Sequence, residues 1–435
     1  MPAPVNTREL ILETLLLITR DGEHSHIALR SVLDKYQYLD KKERAFLTRV
    51  VEGTLERMIE LDYIINAFSK VKVNKMKPVI RTILRSAAYQ MKYMDSVPDS
   101  AVCNEAVKLA AKKGFVNLKG FVNGVLRNMS RGLSEVEYPS KEIYPEEYLS
   151  VTYSLPLWLV RQWLSEYDCR TVEEMGKAFL KERATCIRVN TGRIKKEELK
   201  ELLEAEGVTV TEDKRIPYAL YIADYDYLTK LESFQKGYFY VQDVSSMEVA
   251  EWAAPKAGDF VLDVCAAPGG KAIHLAEKLG GTGRVLARDL TEYKVGLIEE
   301  NISRSALAGI EAEQWDALDY DETMRDAADI VIADLPCSGL GVLGKKTDLK
   351  YKMNPELQEE LVKLQRQILD VVQAYVKHGG KLLYSTCTVH RAENEENVQW
   401  FLRRHKQFTL VREQQRLPQK DGGDGFYLAL LERSL

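Results

Sequence analysis

Apolar residues recur at steps of three and four through the first 130 residues. RELILETLLLITR (8–20), KKERAFLTRVVEGTLERMIELDYIINAF (41–68), KPVIRTILRSAAYQMKYM (77–94) and DSAVCNEAVKLAAKKG (99–114) each carry an apolar face, which predicts helices. Asp40 and Asp99 stand where N-caps belong, and Pro98 suits the turn before the fourth helix. An all-α bundle is therefore expected over 1–131. GLSEVEYPSKEIYPE (132–146) carries two prolines and several charges and reads as a linker. From 147 to 240 helical runs such as WLVRQWLSEY and KKEELKELLEAEG mix with short strand runs such as TCIRVNT, ALYIAD and YFYVQD, which predicts a small α+β domain.

The pattern changes again over 241–435. DFVLDVC, RVLARDL, IEAEQWDA, DIVIADLP and GKLLYSTC are strand-like runs separated by helical ones, and FTLV and FYLALLE close the chain. Such alternation predicts an α/β domain of Rossmann-like type, a parallel sheet wrapped on both faces with ligands at the carboxyl ends of its strands. A multidomain chain also agrees with 435 residues, which exceed one ordinary core.

Charge refines the picture. The net charge is −4, yet residues 1–132 hold 22 Lys and Arg against 14 Asp and Glu. Lys108 to Arg131 contains six cations, including Lys112, Lys113, Lys119 and Arg127, and no acid. Phosphate backbones require such a face, since each neutralised phosphate releases counterions. The plainer reading is a solvated helix surface.

Six cysteines at wide intervals, with no C-x-x-C pair, suggest free thiols in a reducing cytoplasm and neither a disulfide framework nor a metal site. No signal-peptide pattern opens the chain, and no apolar run is long enough to span a membrane. A cytoplasmic monomer is expected.

Candidate chemistry gathers at the strand ends. VLDVCAAPGGKAIHLAEKLG (261–280) runs from strand through a turn of small residues into a helix, so a backbone there can approach a ligand. Its spacing is neither G-x-G-x-x-G nor G-x-x-x-x-G-K-[ST], which disfavours pyrophosphate and triphosphate ligands. Asp289 ends the next strand, where ribose hydroxyls are held in such folds. Asp316 ends the third, within reach of an adenine amino group. Together they describe a nucleoside pocket without a phosphate cradle, and S-adenosylmethionine is the nucleoside of that kind; either aspartate alone could simply begin a loop.

The fourth strand ends in ADLPCSGLGVLG (333–344), with Asp334 and Cys337, and the fifth in YSTC, with Cys387. A thiolate is a strong nucleophile. Carbon 5 of a pyrimidine becomes nucleophilic once a thiolate adds to carbon 6, and its proton must then leave before the thiol can. That chemistry needs a nucleophile, a base and a carboxyl group for ring nitrogen 3, which Cys387, Cys337 and Asp334 could supply. A buried strand-end cysteine is usually a small apolar residue, and Cys265 reads that way.

DVCAAPGGK, DLPCSGLG and YSTCT resemble the motifs of the RNA cytosine-5 methyltransferases, from YVQDVSSM (240–247) to DGFYLALLE (424–432). The resemblance implies that Cys387 is the nucleophile and that Cys337 assists proton removal and release. It implies that Cys265, Ala266, Ala267, Pro268, Gly269, Gly270 and Lys271, with Asp289, Asp316 and Asp334, bind S-adenosylmethionine, Asp334 also lying beside the target base. MDSVPDSAVCNEAVKLAAKKG followed by KGFVNGVLRNM resembles the NusB-like RNA-binding domain fused to the bacterial small-subunit rRNA branch, the RsmB, Sun or Fmu type. After Val342 the chain reads LGKKTDLKY, with Gly344 and Thr347 where that family commonly carries other residues; Lys345, Lys346 and Lys350 are the candidate RNA contacts there.

The resulting expectation is methylation of carbon 5 of a cytosine in 16S rRNA, with S-adenosylmethionine as cofactor and RNA as partner. The same chemistry on tRNA, a nucleotide-dependent oxidoreductase, and a non-catalytic RNA-binding or antitermination factor are the alternatives.

Overall fold

The computed structural model describes residues 6–181, 184–418 and 423–435. The chain forms two compact units. One comprises 1–181 with 343–354, the other 182–342 with 355–435.

In the first unit, helices Thr7–Thr19, Ser25–Lys35, Lys41–Glu56, Met58–Phe68, Pro78–Tyr93, Asp99–Lys112 and Lys119–Gly132 share one apolar core, with Leu15, Leu47, Leu61, Leu84 and Met129 fully buried or nearly so. Asp40 caps its helix in a reciprocal pair with Glu43. The periodicity of 41–68 predicts one helix, but the backbone breaks at Arg57. The Ser154 hydroxyl oxygen accepts from the Ile59 and Glu60 N–H groups at 2.9 and 3.3 Å, so the second helix is capped by a residue far along the chain. Helix Ser25–Lys35 also has a remote cap. Its N-cap His24 makes no side-chain cap bond, and Asp348 instead accepts from the Ser25 N–H at 3.2 Å and hydroxyl at 2.6 Å.

Composition marks 132–146 as a linker, whereas packing divides the chain at Lys181. The Tyr138 hydroxyl donates to Glu60 at 2.7 Å, and helices Pro145–Thr152, Leu157–Glu166 and Cys169–Phe179 stay with the first unit around the fully buried Trp163.

The second unit holds two sheets. Strands β1 (Thr185–Val189), β2 (Thr209–Glu212), β3 (Ala219–Ala223) and β4 (Phe239–Val241) form an antiparallel sheet ordered β2-β3-β1-β4. The larger sheet contains β5 (Phe260–Asp263), β6 (Arg284–Asp289), β7 (Ile310–Gln314), β8 (Ala328–Asp334), β9 (Val376–Thr386), β10 (Phe408–Arg416) and β11 (Phe426–Arg433), ordered β10-β11-β9-β8-β5-β6-β7. β5 to β9 are parallel, each reached by a crossover. The last two strands are antiparallel to their neighbours, a departure from the all-parallel expectation. Only 417–425 join β10 to β11, too few residues for the crossover a parallel pair needs. The chain reverses direction across the sheet at β5, whose one neighbour is β6 and other β8. That reversal opens the crevice in which such folds bind ligands. Among the described residues no helix is long and apolar enough to cross a membrane.

Candidate active site

The turn after β5 is built for close approach. Gly269 has φ of +100°, and a Cβ there would crowd Ile298 at 3.3 Å; it caps helix Gly270–Leu279, whose first N–H groups face the crevice end of the sheet. The turn is fixed to β6: Asp289 Oδ2 accepts from the Ala267 N–H at 2.9 Å, and the Ala266 N–H donates to the Arg288 carbonyl at 2.8 Å. Asp289 is buried and its other oxygen takes the Leu290 N–H at 2.8 Å and the Lys294 ammonium at 2.9 Å. Asp316 follows β7, half-buried, accepting from the Leu318 N–H at 2.9 Å. Burial pushes the Cys265 thiol up, as befits an apolar packing residue.

Three charged groups meet where β5 and β8 end. The Lys271 ammonium donates to Asp334 Oδ2 at 2.6 Å, and the Ser385 hydroxyl donates to Asp334 Oδ1 at 2.6 Å. Burial alone would lower the Lys271 pKa, but Asp334 and then Asp263 outweigh it and hold it above its ordinary value. Asp263 is fully buried. One of its oxygens accepts from the Cys265 N–H at 3.4 Å and the other has no hydrogen-bond partner. Burial, and then the Asp334 charge, pushes the Asp263 carboxyl up to about 7.

Asp334↔Ser385 is a register pair of β8 and β9, so the loops after these strands leave side by side and bring Cys337 and Cys387 together. The two Sγ atoms lie 3.4 Å apart, both residues half-buried. The hydrogen bond to Cys387, followed by burial, holds the Cys337 thiol well above its ordinary pKa. Either sulfur can be the donor of this contact. The Cys387 carbonyl accepts from the Gly341 N–H at 3.0 Å, and a Cβ at Gly341 would collide with the Gly425 carbonyl. The two loops are thereby stitched to one another.

Residues 250–432 match the family model for the 16S rRNA methyltransferase RsmB/F, 5–131 that for the NusB family, and 155–225 that for the ferredoxin-like domain of RsmF/B-like methyltransferases. The probable ribosomal RNA small subunit methyltransferase B of Bacillus subtilis is 36% identical, the match covering 95% of this chain and 92% of that one. Its counterpart in Synechocystis is 30% identical over 99% and 100% of the two chains. The chain belongs to the RsmB/F methyltransferase family. The solved structure of PH0851 superposes with a TM-score of 0.83 at 26% identity over 99% of each chain. NSun6 from Pyrococcus horikoshii shares the fold, with a TM-score of 0.58 at 24% identity over 64% of this chain and 98% of its own.

The cofactor of this methyltransferase is S-adenosylmethionine, and the crevice suits it. Asp263 offers a buried carboxylate oxygen without a partner, Asp289 ends β6 with Gln314 of β7 as its register partner, and Asp316 follows two residues after that strand. The cationic candidates are differently placed. Lys119 and Arg127 are exposed; Lys112 and Lys113 are paired with Glu9, and Lys113 also with Glu13. Lys119 lines a groove of about 450 Å³ with Lys108, Asn104 and Asn123. Lys345 and Lys346 are exposed, but Lys350 departs from the expectation of an RNA contact: it is buried, donating to the Glu56 carbonyl at 2.7 Å. Its position in a charged run gave no sign of that. Asp263, the last residue of β5, and Glu393, in the charged run after Cys387, carry no sign of their surroundings in the sequence.

Proposed function

We propose that the enzyme methylates carbon 5 of a cytosine in small-subunit rRNA through a covalent adduct of Cys387. The observation that carries this reading is the pair of thiols 3.4 Å apart on the loops after β8 and β9, beside an Asp334 held by Lys271 and Ser385. Cys387, beside Cys337, attacks carbon 6 as the thiolate. The proton that Cys387 gives up passes through the Asp334 carboxylate to ring nitrogen 3 as the carbon 6–sulfur bond forms and electron density moves to that nitrogen; Lys271 and Ser385 fix the carboxylate's orientation. S-adenosylmethionine, when bound by Cys265 to Lys271, Asp289, Asp316 and Asp334, supplies an electrophilic methyl group. Cys337 then assists passage of the carbon 5 proton to solvent, the carbon 6–sulfur bond breaks with its electron pair returning to Cys387, and the nitrogen 3 proton goes back through Asp334 to that sulfur. The target base must be unpaired or flipped, because neither face of its ring is accessible within a stack. Lys112, Lys113, Lys119 and Arg127, with Lys345 and Lys346, supply cationic surface for the RNA backbone.

The test uses methyl-labelled cofactor with unmodified small-subunit rRNA and, separately, tRNA, followed by nucleoside analysis. 5-Methylcytidine in the rRNA is the expected product. Label in another methylated nucleoside would overturn the carbon 5 assignment, and label confined to tRNA would overturn the substrate.

A further inference from the structure

Behind Cys387 the chain runs RAENEEN, 391–397. Glu395 and Glu396 occupy the first turn of helix Glu395–Arg404, where negative charge favours the helix dipole. Glu393 precedes that helix and is fully buried. Burying a carboxylate is costly unless every lone pair is met, so its surroundings bear on why it is there.

Glu393 Oε2 accepts from the Ser338 N–H at 2.9 Å and from Gln365 Nε2 at 3.0 Å. Oε1 accepts from the Ser338 hydroxyl at 2.5 Å and lies 3.0 Å from His390 Nδ1. The Ser338 and Thr388 hydroxyls are 2.7 Å apart. Since Ser338 spends its only hydroxyl proton on Glu393, Thr388 is the donor to Ser338. Ser338 follows Cys337 and Thr388 follows Cys387, so one carboxylate ties together the neighbours of both thiols. Adjacent Asn394 secures the second loop, accepting from the Thr386 hydroxyl at 2.6 Å and donating to the Thr388 carbonyl at 3.2 Å. Gln365 Nε2 also reaches the Pro336 carbonyl at 2.9 Å, which holds the first loop from its other side.

We propose that Glu393 is a positioning residue that sets the separation and facing of the Cys337 and Cys387 sulfurs. The proposal deepens the two-thiol reading and rests on it for its catalytic consequence. Glu393 touches no substrate; it acts through Ser338 and Thr388. Without the carboxylate, Ser338 loses two bonds and the two loops lose their common anchor, so the sulfurs part.

Phenylarsine oxide reads this directly, because its arsenic forms bonds to two adjacent thiols with release of one water. The full-length protein would be titrated as wild type, Glu393→Ala, Glu393→Gln, Ser338→Ala and, as a control for bidentate capture, Cys337→Ser. Alkylation by iodoacetamide checks that both thiols remain accessible, and circular dichroism that each variant is folded. At least a tenfold weaker arsenical complex is expected for Glu393→Ala, a smaller loss for Ser338→Ala and an intermediate one for Glu393→Gln, which keeps the shape but misplaces a donor. Methyl transfer by Glu393→Ala should lose at least tenfold in kcat with the KM for RNA unchanged. Wild-type arsenical affinity and kcat in a folded Glu393→Ala would overturn the proposal while leaving the two-thiol reading intact. Full methyl transfer by Cys387→Ala would instead remove the catalytic reading, and weakened arsenical capture in Glu393→Ala would still uphold the positioning role.

Discussion

Lys350 gives a prediction whose size follows from its surroundings. Its ammonium lies inside the first unit, bonded to the Glu56 carbonyl at 2.7 Å, and burial lowers its pKa from 10.5 to about 7. A lysine with a folded value below its unfolded one destabilises the fold while both states are charged. The penalty is therefore full below pH 7 and fades as pH climbs toward 10.5. At 1.36 kcal/mol per tenfold in the proton equilibrium, it amounts to about 5 kcal/mol at pH 6. Lys350→Met keeps the packed stem, removes the charge and forfeits one hydrogen bond, worth about 1 kcal/mol. The variant should gain about 4 kcal/mol at pH 6 and almost nothing at pH 10, read by urea unfolding followed with circular dichroism at both pH values. RNA affinity should not change, since the side chain is covered. An equal effect at both pH values, or destabilisation at pH 6, would refute the reasoning.

Three further outcomes are expected. Asp263, raised to about 7 from 3.8, penalises the fold increasingly as pH rises from 3.8 to 7; Asp263→Asn should raise the melting temperature at pH 8 and leave it unmoved near pH 4, which thermal melts would show. Gly341→Ala drives a Cβ onto the Gly425 carbonyl and against the Cys387 carbonyl, so it should cost about 1–3 kcal/mol in unfolding experiments and abolish methyl transfer with cofactor binding retained. Reversing Lys112 and Lys113 to Glu should weaken RNA binding and lower the slope of log affinity against log salt by about two; unchanged affinity across the salt series would return both lysines to the role of solvated surface.

The parts of this molecule that are written locally could be read from the sequence. Strand ends announce themselves by where an apolar run stops, which is why Asp289, Asp334 and Cys387 fall at or beside the ends of β6, β8 and β9. Helix starts supplied from elsewhere could not be read. Ser25–Lys35 is capped by Asp348 and Met58–Phe68 by Ser154, so neither start carries its own signal. Burial of charge is equally opaque. Lys350 and Glu393 sit in runs of charged residues that look solvated, and only the fold reveals that each is enclosed. The adjacency of Cys337 and Cys387 was legible as two neighbouring strand ends; the 3.4 Å that makes them a chemical pair was not.

In the proposed reaction Cys387 forms the adduct and Cys337 helps resolve it. Unmodified small-subunit rRNA, S-adenosylmethionine and each of wild type, Cys337→Ala and Cys387→Ala would be separated on a denaturing gel. A protein–RNA band that accumulates with Cys337→Ala and is absent with Cys387→Ala is the expected result. Methyl transfer that survives the loss of Cys387, with no adduct from any protein, would contradict the account.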